Sequence, residues 1–177
     1  MRLALAALAA AMLAAAPAGA QTTTTGGTPM TAEARLQRLE DIQEIGRVLT
    51  NYGRLLDARD FRGYADLFAV DGVWDGGFGA ARGPQAIYDM MAKNIGTGEN
   101  GGMPSGSYHL LTSFEIDPHG DTAIAWSRWS FVVQGKDGGH PQIFGSGRYE
   151  DQLVREAGRW KFKLRKALSD APPPPPK

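Results

Sequence analysis

Beyond residue 105 the chain is divided into four β-rich runs, Tyr108 to Ile116, Thr122 to Val133, Gln142 to Val154 and Trp160 to Ala167. The separators, Asp117 to Asp121, Gly135 to Gly139 and Glu156 to Gly158, are built from turn-forming residues and are too short for a crossover helix. Consecutive strands joined in this way pair as antiparallel hairpins. The second half of the chain is thereby committed to a meandering sheet, and the first half must supply what covers one of its faces.

That first half is helical by its periodicity. From Ala32 to Asp57 the apolar positions Leu36, Leu39, Ile42, Ile45, Val48, Leu49, Tyr52, Leu55 and Leu56 form the stripe of one long amphipathic helix. Thr31 is placed to cap it, and Asp60 to cap a short second helix carrying Phe61, Tyr64, Leu67 and Phe68. Asp71-Gly72 is expected to end that helix, Val73-Trp74 to form a short strand, and Gly76 to Gly79 a turn. Pro84 favours the first turn of a third helix that reaches about Lys93. Asn94 to Gly106 reads as a long glycine-rich connection, a common pocket rim. Helices first and strands later predict an α+β domain with the helices on one face of a single sheet.

Composition narrows the chemistry. The 177 residues carry 19 Lys+Arg against 19 Asp+Glu and no cysteine. Interspersed charge with no basic stripe argues against nucleic acid as a partner. The lack of cysteine removes disulfides, thiolate nucleophiles and Cys-ligated metals. The three histidines share no metal-ligand spacing, and no dinucleotide, phosphate-loop or nucleophile-elbow motif is present. Neither metal nor cofactor is therefore expected, and the chemistry falls to His, Asp/Glu, Tyr, Arg or Ser/Thr. Residues 1–20 read as a secretory signal: Met1-Arg2, an apolar run from Leu3 to Ala15, and a small-x-small cleavage site at Ala18-Gly19-Ala20. The expected layout is a signal at 1–20, a disordered Thr/Gly leader at 21–31, a folded domain at 32–169 and a proline-rich tail at 170–177. Such a protein is periplasmic or secreted, and makes no membrane contact once cleaved after Ala20.

With that order of elements in hand, several segments carry a resemblance. They are Tyr52 to Asp60, Leu67 to Trp74, Gly83 to Ile87, Tyr108 to Leu111, Gly147 to Asp151 and Gly158 to Phe162. Residues 37 to 168 resemble the SnoaL-like branch of the nuclear transport factor 2-like superfamily, which includes scytalone dehydratase and ketosteroid isomerase. The resemblance implies a cone: a curved mixed or antiparallel sheet wrapped around the long N-terminal helix, with two shorter helices and a mainly apolar pocket at the open end. By the same resemblance His109 matches the catalytic strand histidine of scytalone dehydratase, and Asp57 the carboxylate that orients it. Tyr52 falls where the isomerase places its oxyanion-hole tyrosine. Arg148 and Tyr149 fall around a polar late-strand residue of the dehydratase, and Asp75 within one residue of both the isomerase's general base and a dehydratase tyrosine. Leu56 stands where the dehydratase has a helix tyrosine.

The residues also speak for themselves. His109 alone among the histidines lies within an expected strand; His119 and His140 lie in polar turns. A strand histidine is either a satisfied core residue or a base, and a carboxylate on one ring nitrogen would equip it to take and return a proton. Asp57 can serve in that way, cap the next helix, or pair with Arg54 or Arg59. Tyr52 is core or oxyanion donor; it lies about 140° from Asp57 on a helix, so both reach one pocket only if the helix ends near Asp57. Trp74, Phe78, Trp126 and Trp129 supply aromatic surface, with Trp126 and Trp129 on opposite faces of their strand. The expected catalytic set is His109, Asp57, Tyr52 and Tyr149, and the expected substrate-binding set Trp74, Asp75, Phe78, Trp129 and Arg148. The resulting expectation is a cofactor-independent lyase of dehydratase type, or an isomerase, acting on a small hydroxylated aromatic or polycyclic molecule. A non-catalytic binding module of the same fold is the alternative, and an exposed apolar sheet face predicts a homodimer or homotrimer.

Overall fold

The computed structural model describes residues 30–96, 106–135 and 138–171. The signal and nearly all of the leader expected from the sequence, and the prolines from residue 172 onward, lie outside the described residues, as does residues 97–105 of the expected rim.

The elements run α1 (Ala32–Asp57), α2 (Phe61–Ala65), β1 (Phe68–Gly76), β2 (Gly79–Arg82), α3 (Pro84–Ile95), β3 (Tyr108–His119), β4 (Thr122–Val133), β5 (Gln142–Glu156) and β6 (Arg159–Ser169). The caps are those the sequence offers: Thr31 Oγ1 accepts from the Ala34 N–H at 3.2 Å, and an Asp60 carboxylate oxygen accepts from the Gly63 N–H at 2.9 Å. The six strands form one open sheet in the order β2-β1-β6-β5-β4-β3. The last four make the antiparallel meander, while β1 lies parallel to β6, so the sheet is mixed. The fold is α+β, a long N-terminal helix and two shorter ones against this sheet.

The departures from sequence expectation cluster where β1 joins the sheet. Phe68 is not the end of a helix but the first residue of β1, because the Phe162 N–H donates to the Leu67 carbonyl at 2.8 Å and recruits the chain as a neighbour of β6. Asp71-Gly72 does not end an element; it sits within β1 where the register against β6 shifts. A Cβ on Gly72 would lie 2.5 Å from the Phe162 carbonyl oxygen, so the glycine is what lets the strand pass. Gly77-Phe78 is a tight turn into β2, a strand absent from the sequence reading. In the same way Asp117 to His119 extend β3, leaving Gly120-Asp121 as the turn.

The core lies between α1, the two short helices and one face of the sheet, and includes Ile45, Leu49, Tyr64, Phe68, Met91 and Phe162, each almost wholly buried. Burying such a side chain contributes roughly 1.5–3 kcal/mol. Leu36 and Leu39, expected on the apolar stripe, remain exposed, and burial on α1 begins at Asp41. That carboxylate accepts from Arg155, from Trp160 Nε1 and from Gln37, tying the closed end of α1 to β5 and β6. Farther along, a Cβ on Gly53 would meet Leu111 Cδ1 at 2.5 Å and the leucine side chain would have to shift to admit it, so α1 lies close against β3 at this point.

Candidate active site

Asp57 is the last residue of α1, and the chain turns away through Ala58 and Arg59, the latter at φ +59°. The helix end frees the Asp57 carboxylate from the helical spacing that would separate it from Tyr52. It clamps His109 at two points: Oδ1 lies 2.6 Å from Nδ1, and Oδ2 accepts the His109 backbone N–H at 2.9 Å. An ionised carboxylate is acceptor-only, so opposite one Nδ1 carries the proton, and a neutral ring in that tautomer presents the Nε2 lone pair. Phe131, opposite His109 on β4, packs against the imidazole with ring centroids 4.9 Å apart.

His109 lines a cavity of about 480 Å³ at the end of the sheet. Its walls are mainly aromatic and aliphatic, from Tyr52, Leu56, Tyr64, Trp74, Phe78, Met91, Trp129, Phe131, Phe144 and Tyr149. The Trp74 indole N–H donates to the Tyr52 hydroxyl at 2.9 Å, which polarises that hydroxyl as a donor in turn. Burial, reinforced by the adjacent Tyr52, pushes the Tyr149 phenol well above the ordinary tyrosine pKa, so that it stays protonated and serves only as a donor or an acceptor. The Trp129 indole packs against β5 at Gly147, where a Cβ would fall 2.6 Å from Trp129 Cζ2 and 2.0 Å from the Leu168 carbonyl oxygen.

Behind this wall sits a pair that sequence reading missed. Arg165 on β6 and Asp151 on β5 face each other in register, fully buried, with two hydrogen bonds of 2.8 Å. The guanidinium carbon lies 3.9 Å from the Tyr52 ring centroid, 4.0 Å from that of Tyr149 and 4.2 Å from that of Phe162. Burial opposes the Arg165 charge, but the Asp151 carboxylate outweighs it and the arginine stays above its ordinary pKa. Burial likewise raises the Asp151 carboxyl against the pull of Arg165, and the two parallel hydrogen bonds are the bidentate geometry of a guanidinium–carboxylate ion pair. A signal was present: Asp151 stands two residues from Tyr149, hence on the same strand face, and a carboxylate on a buried face demands a cation.

Placement of the expected residues follows strand parity. His109, Tyr52, Tyr149, Trp74, Phe78 and Trp129 line the cavity, with Asp57 directly behind His109. Asp75 does not: it alternates with the buried Trp74, is exposed and pairs across to Lys166. Arg148 is also outside, on the opposite face of β5 from Tyr149, where its Nε donates to Glu150 at 3.0 Å. Trp126 lies on that outer face too, beside Glu150 and Lys166. Among the described residues no three His, Asp or Glu side chains converge to hold a metal ion.

The SnoaL-like domain model matches residues 37–166. This chain belongs to the SnoaL-like domain family. Several solved structures share the fold of this SnoaL-like protein. An NTF2-like protein from Novosphingobium aromaticivorans is 24% identical with a TM-score of 0.67, the match covering 78% of this chain and 87% of that one. A candidate scytalone dehydratase from the same organism is 24% identical with a TM-score of 0.61, over 75% and 86% of the two chains. ActVI-ORFA from Streptomyces coelicolor is 22% identical with a TM-score of 0.66, over 77% and 99%. No curated protein matches the chain. The SnoaL-like domain and these neighbours agree on an NTF2-like fold.

Proposed function

We propose that this SnoaL-like protein is a cofactor-independent lyase of dehydratase type, acting on a small hydroxylated aromatic or polycyclic ketone. The observation that supports it is the Asp57–His109 pair held at 2.6 Å against a cavity walled by aromatic rings. In this reading Nε2 of His109 removes a proton from the carbon next to the substrate carbonyl. The C–H electrons move toward that carbonyl, and the Tyr52 or Tyr149 hydroxyl donates to the developing oxyanion. The imidazolium, stabilised by Asp57, then returns its proton to the β-hydroxyl as the C–O bond breaks; the products are water and the unsaturated ketone. Return of the proton to a different carbon would give an isomerase instead, and both share the first step. The candidate scytalone dehydratase among the structural neighbours favours the dehydratase order.

The shared step gives the test. A bicyclic β-hydroxy ketone such as a hydroxytetralone, incubated with the protein in D₂O, should exchange its α-proton and lose water, both followed by proton NMR. Exchange equal to the protein-free rate, with the ketone nevertheless bound, would replace this proposal by a binding module of the same fold.

A further inference from the structure

Arg165 is wholly buried and stands behind the cavity wall rather than in it. Two rings that do line the cavity, Tyr52 and Tyr149, lie against it, their centroids 3.9 Å and 4.0 Å from the guanidinium carbon. Asp151 takes only one edge of the guanidinium: Nε and Nη2 each donate to it at 2.8 Å. Among the described residues Nη1 has no hydrogen-bond partner. In a planar guanidinium gripped through Nε and Nη2, Nη1 is the nitrogen farthest from the carboxylate, so the cation is least compensated on the side turned from Asp151. At Tyr149, burial and the adjacent Tyr52 raise the phenol most, but the pull of Arg165 toward the anion exceeds the opposing push of Asp151. Stability gives no reason for the pair, because a buried ion pair is often no better than apolar side chains of the same volume.

We propose that Arg165 is a positioning residue for the reaction: its charge, held against the Tyr52 and Tyr149 rings by Asp151, acts through both phenols to favour the negative charge that develops on a substrate oxygen bonded to their hydroxyls. This role rests on the reading of those hydroxyls as donors to the oxyanion. A cation beside a phenol polarises the O–H bond and strengthens it as a donor, and a buried site screens the effect far less than water does. Two hydrogen bonds fix the charge before substrate enters, so it needs no reorganisation as the reaction proceeds. The Trp74 indole N–H, donating to the Tyr52 hydroxyl at 2.9 Å, acts in the same direction. A cation close to an acid shifts its ionisation roughly 10- to 1,000-fold; acting through an intervening ring and partly offset by Asp151, Arg165 belongs at the low end, about tenfold.

The test removes the charge and keeps the packing, in Arg165→Met with Asp151→Leu and separately in Arg165→Gln with Asp151→Asn, whose neutral partners can still hydrogen-bond. Circular dichroism first establishes that each is folded. The probes are 4-nitrophenolate and its uncharged relative 4-nitroanisole, titrated at a pH where the free phenol is ionised. Both double variants should bind the anisole within about twofold of the parent and the phenolate about tenfold more weakly. In α-proton exchange of the hydroxytetralone, kcat should fall by a similar factor while KM stays within about twofold, as for an interaction made only in the transition state. Arg165→Lys, which keeps a cation opposite Asp151, should retain most of the preference for phenolate. Equal phenolate affinity in the parent and a folded double variant overturns the role. Equal losses for phenolate and anisole overturn it also, because they assign Arg165 only to the shape of the cavity. Tyr52→Phe combined with Tyr149→Phe separates the underlying reading. Loss of the phenolate preference there, but not in the charge-free variants, removes the role of Arg165 alone; a preference that survives without both hydroxyls removes the donor reading and the role of Arg165 with it.

Discussion

Replacing Asp57 by Asn tests the site with almost no change in shape. The carboxylate now accepts two hydrogen bonds from one residue, the His109 ring at 2.6 Å and its backbone N–H at 2.9 Å. An amide has one acceptor and one donor end, so it cannot make both. If its oxygen keeps the backbone N–H, its NH₂ faces Nδ1, which must become the acceptor; the ring proton moves to Nε2, and the cavity loses its base. If instead the oxygen faces Nδ1, the NH₂ opposes the backbone N–H, donor against donor, at a cost of about 1–3 kcal/mol. The first arrangement is therefore favoured, and the rate should fall by roughly 100- to 10,000-fold, the range a positioned general base supplies. Two assays read it. Nitrogen-15 NMR of the imidazole should show the proton on Nδ1 in the parent and on Nε2 in the variant. Substrate α-proton exchange should fall in step. A variant with the Nε2 tautomer and the parent rate would refute the role of His109 as base; a variant that keeps the Nδ1 tautomer would refute the role of Asp57 as its orienting partner.

Changing His109 to Ala should abolish exchange while leaving ligand affinity within a few fold, and adding Asp57→Asn to it should cost little more, because residues acting as a unit are not additive; titration calorimetry and exchange rates decide this. Arg165→Met leaves Asp151 charged and alone in the core, and should lower stability in urea by about 3–5 kcal/mol, with much of the loss recovered by adding Asp151→Leu. Burial alone would raise the Asp41 carboxyl, but hydrogen bonds from Arg155, Trp160 and Gln37 outweigh it and hold the folded pKa low. Its contribution is thus present above the unfolded carboxylate pKa and is lost as pH falls through the lower folded value; Asp41→Asn should be less stable near neutrality and show a shallower acid loss, measured by thermal melting from neutral pH downward. Exported protein should begin at Gln21 by mass analysis, and should run in light scattering as a homodimer or homotrimer through the outer sheet face, where Leu110 is 49% and Ile124 59% exposed; a monomer at micromolar concentration would argue against that face.

Local patterns in the chain were sufficient for the elements that depend on local physics. The stripe from Ile45 to Leu56, the caps at Thr31 and Asp60, the proline start of α3 and the short hairpin separators each carry their own instruction, because helix periodicity, capping and tight turns involve residues a few positions apart. The Asp57 and His109 candidates were legible too, through the resemblance and through residue chemistry. What the chain could not display locally was whatever depends on a distant partner. Phe68 and the Asp71-Gly72 step read as helix and break until β6 arrives alongside to pair with them. Arg148 and Tyr149 are equivalent in sequence until one pleat faces the cavity and its neighbour faces out, which excludes Arg148 and, by the same alternation, Asp75. Arg165 looks like one more base among Lys161, Lys163 and Lys166, and only its register opposite Asp151 makes it a buried cation beneath Tyr52 and Tyr149. The contact between Asp57 and His109 spans 52 positions of chain, and it forms where α1 stops at Asp57 beside the start of β3. Short-range order is written in side-chain propensity and spacing, whereas a site assembled from a helix end and several strands is decided by packing distances that no short stretch of sequence contains.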